Sequence, residues 1–161
     1  MKEQKFEFSF DVYDNIHELS KDYQYLLNEA RKATGNAYAP YSGFYVGAAA
    51  ILSNGKIVTS GNQENASYPV GICAERVLLS SVSSFYPGIA IETIAISYES
   101  KTVKSDHPIS PCGMCRQALQ EFEGRMGKPI QLILGGMEGK IYIINSASLL
   151  LPLAFTSEEL G

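Results

Sequence analysis

The sequence predicts an α/β fold in which helices cover a mixed β-sheet. Segments with the apolar patterns of strands occur in turn with segments whose apolar residues recur at helical spacing. Turn signals rich in Gly, Pro and Asn separate these segments. The 161 residues are enough for one domain whose core needs no disulfide bonds.

The first strand and the first helix lie in the N-terminal quarter of the chain. Phe6 to Val12 alternates apolar and polar residues, which predicts an edge strand packed on the domain or on a neighbouring subunit. An amphipathic helix that ends near Gly35 is then predicted by Ile16, Leu19, Tyr23, Leu26, Leu27 and Ala30. We interpret residues 1–14 as an N-terminal strand extension and residues 15–161 as a single domain.

A β-hairpin and a second helix are predicted next. Val46 to Leu52 is a compact apolar run, and Lys56 to Ser60 is its partner strand. The dipeptide Asn54-Gly55 between them favours a two-residue type I′ turn. The pattern that begins at Cys73 predicts a helix that stops before Pro87-Gly88.

The second half of the chain continues the alternation. It contains a predicted strand at Thr93 to Tyr98, a helix at Cys112 to Phe122, strands at Ile130 to Leu134 and Ile141 to Ile144, and a short helix around Ala147 to Leu151. A Gly-rich turn separates the last two strands. The element order favours a mixed sheet covered by helices.

The composition excludes several classes of function. The net charge is −4 and no cluster of Lys or Arg is long enough to follow a phosphate backbone, so nucleic acid is not expected as a partner. No apolar run approaches the roughly 20 residues of a membrane helix. Three thiols cannot all pair within one chain, and we find no secretory signal pattern, so we expect a cytoplasmic protein that recognises a small ligand.

The three cysteines predict a zinc site. They are Cys73 and the pair Cys112 and Cys115. A structural zinc takes four protein ligands, whereas a catalytic zinc keeps three and leaves one position for water. His17 and His107 could complete a structural site, although neither has finger-like spacing from the thiols. A catalytic zinc, a structural zinc and a metal-free site are the three alternatives.

Both cysteine segments precede helical patterns, so the thiols are expected at helix N-termini, which favour negative charge. Residues at i and i+3 share a helix face, which lets Cys112 and Cys115 bind one ion together. Glu75 can carry protons for a zinc-bound water. Arg76 could donate to the thiolates and withdraw charge from them, or it is an ordinary surface arginine.

These residues resemble a known family. The runs Cys73-Ala74-Glu75-Arg76 and Pro111-Cys112-Gly113-Met114-Cys115-Arg116-Gln117 resemble the zinc motif of the cytidine deaminase superfamily, and a cysteine as first ligand resembles its free-nucleoside branch. Further segments extend the resemblance over nearly all of the chain after the first strand: Ala39 to Ser42, Val46 to Ala49, Asn62 to Pro69 and Leu150 to Phe155.

The resemblance implies a fold and a set of roles. The fold is a three-layer α/β/α sandwich with a five-stranded mixed sheet, to which the N-terminal strand would be added. One Zn²⁺ per subunit would be held by the three cysteines, with Glu75 moving protons as cytidine or deoxycytidine is deaminated at C4. Asn62 and Glu64 would bind the ribose 3′-hydroxyl, and Phe44 would pack on the pyrimidine.

The resemblance also implies an assembly. The Ala74 N–H would bind the base carbonyl, and Phe155 would reach a neighbouring subunit's pocket in a homotetramer with shared active sites. Gln63 departs from the family's usual aliphatic residue. The rival interpretations are a blasticidin S-type deaminase, a nucleic-acid editing enzyme, and a zinc-stabilised module that binds without catalysis.

Overall fold

A computed structural model describes residues 1–160, which contain one six-stranded mixed sheet. The strands are β1 (Asp11–Tyr13), β2 (Phe44–Leu52), β3 (Ile57–Gly61), β4 (Ile91–Ser100), β5 (Gln131–Gly135) and β6 (Ile141–Ile144). The helices are α1 (Lys21–Ala33), α2 (Ala74–Phe85) and α3 (Gly113–Met126). The strand order is β1-β6-β5-β4-β2-β3, and only β4 and β5 are parallel neighbours.

Helices cover both faces of this sheet. On one face, the buried side of α1 packs on residues such as Ala49, Ala95 and Ile133. On the other face, α2 and α3 pack through Leu78 and Leu119 on a larger core. The predicted three-layer α/β/α fold is confirmed, with β1 as the sixth strand beside five others. No helix within residues 1–160 combines the length and the apolar character needed to cross a bilayer.

The topology explains why two helices begin at the same edge of the sheet. β3 and β4 flank β2 and both run antiparallel to it, so β3 and β4 point in the same direction. Each of them leads into a helix on the same face of the sheet, namely α2 and α3. The N-termini of the two helices therefore meet beyond the ends of β3 and β4.

The N-terminal strand is shorter than predicted. The pattern indicated a strand over Phe6 to Val12, but only Asp11–Tyr13 pairs, with Ile141–Ile143 of β6. β6 ends at Ile144, opposite Phe10, so within residues 1–160 the residues before Phe10 have no strand beside them. Alternating polarity indicates a strand-like surface, but a strand also needs a backbone partner.

The first and last predicted helices are also corrected. Ile16–Glu18 forms a separate 3₁₀ turn, and Ser20 then caps α1 by accepting from Tyr23 N–H. Near the C-terminus, Ala147–Leu150 is a single 3₁₀ turn instead of a helix. Both errors have one cause, since apolar spacing does not distinguish a 3₁₀ turn from an α-helix over so few residues.

The hairpin between β2 and β3 has a different turn from the predicted type I′. A type I′ turn needs positive φ at both central residues, whereas only Gly55 has it, at 79°. Leu52 O accepts from Gly55 N–H at 2.8 Å, and Leu52 N–H donates to Lys56 O at 2.9 Å. These bonds define a three-residue loop with Gly55 in the left-handed conformation.

Candidate active site

All three cysteines lie at the starts of α2 and α3, as predicted. Cys73 is the residue before α2, Cys112 is the residue before α3, and Cys115 is in the first turn of α3. Cys115 is buried, Cys73 is half-buried and Cys112 is exposed. The first turns of two helices therefore direct their unpaired N–H groups and their positive dipole ends at one group of sulfurs.

The sulfur positions fit one zinc ion. Cys73 Sγ and Cys112 Sγ are 3.8 Å apart, and Cys112 Sγ and Cys115 Sγ are 3.5 Å apart. Two sulfurs bound to one zinc at about 2.3 Å with tetrahedral angles lie about 3.8 Å apart. Within residues 1–160, these three are the only group of three or more metal-ligating side chains this close together. The chain therefore offers a three-thiol site for one Zn²⁺ per subunit.

Without metal, the thiols share their protons unequally. The neighbouring Cys115 thiol lowers the pKa of Cys73 to about 6. The nearness of Cys73, together with burial, raises the pKa of Cys115. Zinc binds thiolates, so loading the site must release the protons that remain.

Glu75 is in the first turn of α2 beside the sulfurs. Only 5% of the residue is exposed, and this burial raises the pKa of its carboxyl group. The Cys115 thiol and the Arg76 guanidinium act in the opposite direction, but burial is the largest effect. A carboxyl with a raised pKa holds a proton more readily than an exposed one and can still release it to a base.

Neither the arginine nor the histidines reach the sulfurs. Among the described residues, the Arg76 guanidinium donates to Met114 Sδ at 3.6 Å rather than to a cysteine. Its positive charge still helps to lower the pKa of Cys73. His107 contacts the Tyr98 hydroxyl and the Asp106 carboxylate. In this conformation, therefore, His107 does not complete a four-ligand structural zinc site.

Phe44 has a rigid support. Its ring stacks on that of Tyr98, with centroids 4.9 Å apart and planes 18° from parallel. Tyr98 is fully buried, and its hydroxyl donates to Lys104 O at 3.0 Å. Phe44 itself remains partly exposed at the start of β2, so one flat apolar surface is held in place and available for contact.

Asn62 and Glu64 are close together, but their side chains have different partners. The Asn62 amide accepts from Val46 N–H at 2.8 Å and donates to Phe44 O at 3.0 Å. The Glu64 carboxylate accepts from Tyr41 N–H at 2.9 Å and from the Ser42 hydroxyl at 2.5 Å. The Ser42 hydroxyl and the backbone N–H groups of Tyr41 and Ser42 hold the pKa of Glu64 below its usual value.

Glu64 also lines a surface cleft of about 330 Å³. The other lining residues are Tyr41, Ser42, Asn65, Tyr68 and Gly71. The Tyr41 and Tyr68 rings lie 5.8 Å apart in this cleft. A carboxylate beside two aromatic rings can accept hydrogen bonds from a sugar while the rings cover its apolar faces.

The two remaining predicted site residues lie at opposite extremes of exposure. Ala74 is fully buried as the first residue of α2, where helix geometry leaves its N–H without a partner in the helix. Phe155 is 59% exposed. Its carbonyl accepts from the Gln117 side chain at 2.9 Å, which fixes the backbone of the C-terminal tail against α3.

The structure adds two positioning residues that the sequence alone did not assign. Arg116 donates to Pro111 O at 2.8 Å and to Leu150 O at 3.0 Å, and so holds the turn that carries Cys112. Ser60 donates to Ala74 O at 2.7 Å and ties the start of α2 to β3. The only sequence signal for Arg116 is its place directly after Cys115, because both of its partners are backbone carbonyls, one of them 34 residues away at Leu150.

Comparisons with known proteins agree with this site. Residues 20–127 match the family model described as the cytidine and deoxycytidylate deaminase zinc-binding region. A cytidine deaminase of Halalkalibacterium halodurans is 38% identical over 140 residues, which cover 87% of this chain and 98% of the relative. One from Sporosarcina psychrophila is 34% identical over 141 residues, covering 87% and 96%.

A solved structure shows the same fold. The crystal structure of cytidine deaminase from Burkholderia pseudomallei matches with a TM-score of 0.71 and 39% identity, covering 85% of this chain and 100% of that one. The family model spans more than half of the chain, and it begins after β1. By this match, by the identity to its relatives and by its three-thiol site, the chain belongs to the cytidine and deoxycytidylate deaminase family.

Proposed function

We propose that the protein hydrolytically deaminates cytidine and deoxycytidine to uridine and deoxyuridine, with release of ammonia. One observation carries this proposal: a buried carboxylate, Glu75, stands beside three sulfurs spaced to hold one zinc ion. A zinc ion with three protein ligands activates a water molecule in its fourth position. The relatives named cytidine deaminase support the same reaction.

Glu75 is the proposed proton carrier. Its carboxylate takes a proton from the attacking water and delivers it to ring N3 of cytosine as the water oxygen adds to C4. It then takes the remaining proton from the new C4 hydroxyl and passes it to the amino group, so that the C4–N bond breaks, ammonia leaves and the C4 carbonyl forms. Its raised pKa suits both directions of transfer. Near-complete burial keeps bulk water from competing for the proton.

Three groups are proposed to bind the base and the sugar. The Ala74 N–H donates to the base carbonyl, and Phe44 supports the pyrimidine from its stack on Tyr98. Glu64, which faces the cleft, accepts from the ribose 3′-hydroxyl. Asn62 would use its second amide hydrogen for the same hydroxyl, because its other polar atoms already bind β2.

We further propose a cytoplasmic homotetramer that serves pyrimidine salvage. A site of three free thiols is suited to a reducing compartment. The exposed Phe155, held on a fixed backbone, would enter a neighbouring subunit's pocket and so share the active sites. Arg76 would moderate the charge of the thiolates through its electrostatic effect on Cys73.

The test compares the wild-type protein with Glu75→Gln. We expect Glu75→Gln to reduce ammonia release from cytidine by about 10²- to 10⁴-fold, because the amide cannot carry the proton. Bound zinc, measured by elemental analysis, should stay at one per subunit. The matched control is Glu121→Gln, an exposed carboxylate of α3, which should leave turnover unchanged.

Substrate comparison separates the proposal from its rivals. Purified protein with full zinc is assayed on cytidine, deoxycytidine and blasticidin S by absorbance change. Turnover of blasticidin S alone would contradict the proposed substrate. If a fully zinc-loaded wild-type protein turned over none of the three, the binding module without catalysis would replace the enzyme.

A further inference from the structure

The ten residues before β1, which we call the N-terminal arm, form an aromatic ladder. The rings of Phe6 and Phe8 are 6.4 Å apart, and those of Phe8 and Phe10 are 6.1 Å apart. The ladder continues onto the sheet, where Phe10 lies 4.9 Å from the Tyr142 ring of β6. All three phenylalanines are exposed, at 54%, 42% and 43%.

The arm alternates two kinds of side chain. Polar residues alternate with the aromatic ones: Glu7 and Ser9 lie between them, and Lys5 and Asp11 flank them. Lys5 forms an exposed ion pair with Glu7. This alternation gives the arm one apolar and one polar face, as in a strand of a sheet, although its residues before Asp11 have no strand partner among residues 1–160.

The arm also continues an open sheet edge. β1 is the outermost strand, and its only strand neighbour within the described part of the chain is β6. An exposed apolar edge readily pairs with another chain, and proteins normally protect such edges with charges, bulges or covering segments. The arm lies before the region that the chain shares with its family, so the deaminase site does not account for it.

We propose that the arm pairs with the arm of a second copy of this chain, antiparallel about a two-fold axis, with Phe8 opposite Phe8. In this register Phe6 faces Phe10, and Lys5 faces Asp11. The Phe8 pair lies on the axis and occurs once, whereas the Phe6–Phe10 and Lys5–Asp11 pairs each occur twice, because a two-fold interface repeats every off-axis pair. Opposite charges and aromatic rings that lie directly across an antiparallel pair stabilise it.

Charge selects this register over its neighbours. A shift by one residue places aromatic side chains opposite polar ones, because strand faces alternate. A shift by two residues in one direction brings Glu7 opposite Asp11. The same shift in the other direction brings Glu3 opposite Asp11 and Glu7 opposite Glu7. Like charges directly opposite each other are destabilising, so the register centred on Phe8 is favoured over these neighbouring registers.

The size of the contact predicts a reversible association. Phenylalanine side chains bury about 150–250 Å² each when fully covered. Six rings that are about half exposed therefore supply less area than the about 1,600 Å² of a standard stable interface. The paired arms therefore hold two copies together weakly, and this association depends on protein concentration. It adds to any contact between the deaminase domains themselves.

Position-specific cross-linking tests the pairing in the full zinc-loaded chain. We expect Phe8→Cys to form a disulfide-linked dimer under oxidised glutathione, because the two substituted residues face each other at a Cβ distance close to that of a disulfide. Ser9→Cys is the matched control. The two Ser9 positions are offset along the strands, beyond the reach of a disulfide, so no dimer should form.

The outcomes on a non-reducing gel are decisive. A covalent dimer from Phe8→Cys, absent from Ser9→Cys and from the wild type, supports the register. Equal linking of both variants, or no linking of Phe8→Cys, overturns it. Deamination plays no part in this readout, so the arm pairing and the proposed function can fail separately.

A charge exchange tests the pairing with every phenylalanine intact. We expect Lys5→Asp and Asp11→Lys each to weaken the concentration-dependent association by about tenfold in sedimentation equilibrium, since each places like charges together twice. The double variant should regain most of the wild-type affinity. If both single variants associated as the wild type does, or if the double variant were as weak as the single ones, the proposed pairing would be wrong.

Discussion

Glu123, a buried residue of α3, joins three separate segments of the chain through its carboxylate. It is 7% exposed, yet its carboxylate has a full set of donors. Ile130 N–H donates to it at 2.6 Å, Ala147 N–H at 2.9 Å and Ser148 N–H at 3.0 Å, and the Ser146 hydroxyl adds a fourth donor. One side chain of α3 thereby fixes the start of β5 and the 3₁₀ turn after β6.

We predict that Glu123→Gln lowers the free energy of unfolding by about 2–3 kcal/mol. The amide replaces one carboxylate oxygen with NH₂, so one backbone N–H is left facing another donor in a buried place. Urea unfolding followed by circular dichroism measures the change.

The control for this prediction is Glu121→Gln, two residues earlier on the exposed side of α3. Surface substitutions of this kind change stability by at most about 0.5 kcal/mol. If both variants had the same free energy of unfolding, the prediction would be wrong, because the buried hydrogen bonds of Glu123 would then contribute no net stability.

Residue roles were predicted from sequence to different degrees. The grouping of the three cysteines with Glu75 was predictable because it depends on residue type and on local spacing at helix starts. The structure places Arg76 against Met114 instead of the cysteines, and it commits most of the Asn62 amide to β2. Such partners come from distant parts of the chain, so spacing along the sequence could not identify them.

At the scale of elements, the close approach of α1 to β2 is set by a glycine. A Cβ atom built on Gly47 would lie 2.1 Å from Ala30 O and 2.6 Å from Thr34 N. The neighbours Ala48, Ala49 and Ala50 are also small and fully buried. The run of small residues lets two helices pack closely on opposite faces of the same strand.

We predict that Gly47→Ala destabilises the fold by about 1–3 kcal/mol, because the new methyl group overlaps the helix backbone and α1 must move away. Thermal unfolding measures this effect. Gly124→Ala is the matched control, since a Cβ there meets nothing within 4 Å on the exposed side of α3. That change should stabilise the fold by about 0.5–1 kcal/mol.

An unchanged melting temperature in Gly47→Ala would contradict this prediction and would show that α1 can shift without cost.

The hairpin between β2 and β3 shows how far a sequence pattern predicts an element. Asn54-Gly55 correctly marks a turn between two strands, but the turn type followed from the pairing of Leu52 with Lys56. Loop length depends on strand register, which packing of the whole sheet decides.

At the scale of the whole molecule, the zinc site links two helices that already share a core. α2 and α3 meet through buried residues such as Leu78 and Leu119, and the three sulfurs span their N-termini. The core of a chain this long does not depend on the metal, unlike that of a zinc finger.

We predict that chelation of zinc abolishes deamination and lowers the melting temperature, while the far-ultraviolet circular dichroism at room temperature stays close to that of the loaded protein. Ligand linkage gives about 4 kcal/mol of stabilisation when free zinc is a thousandfold above its dissociation constant. Cys112→Ser is the comparison, because chelator should then have much less effect on the melting temperature. Complete unfolding on chelation at room temperature would contradict the argument from the core.

The sequence by itself determined the fold class, the hairpin, the group of three thiols and the place of Glu75 beside them, because apolar periodicity and short motifs are local properties of the chain. Only the tertiary structure decided how far β1 extends, which turn joins β2 to β3, and where the side chains of Asn62, Arg76 and Glu123 bind. The physical reason is that a hydrogen bond needs a partner in space. Sequence patterns describe each residue's preferences, whereas the folded sheet and helices decide which partners come within reach.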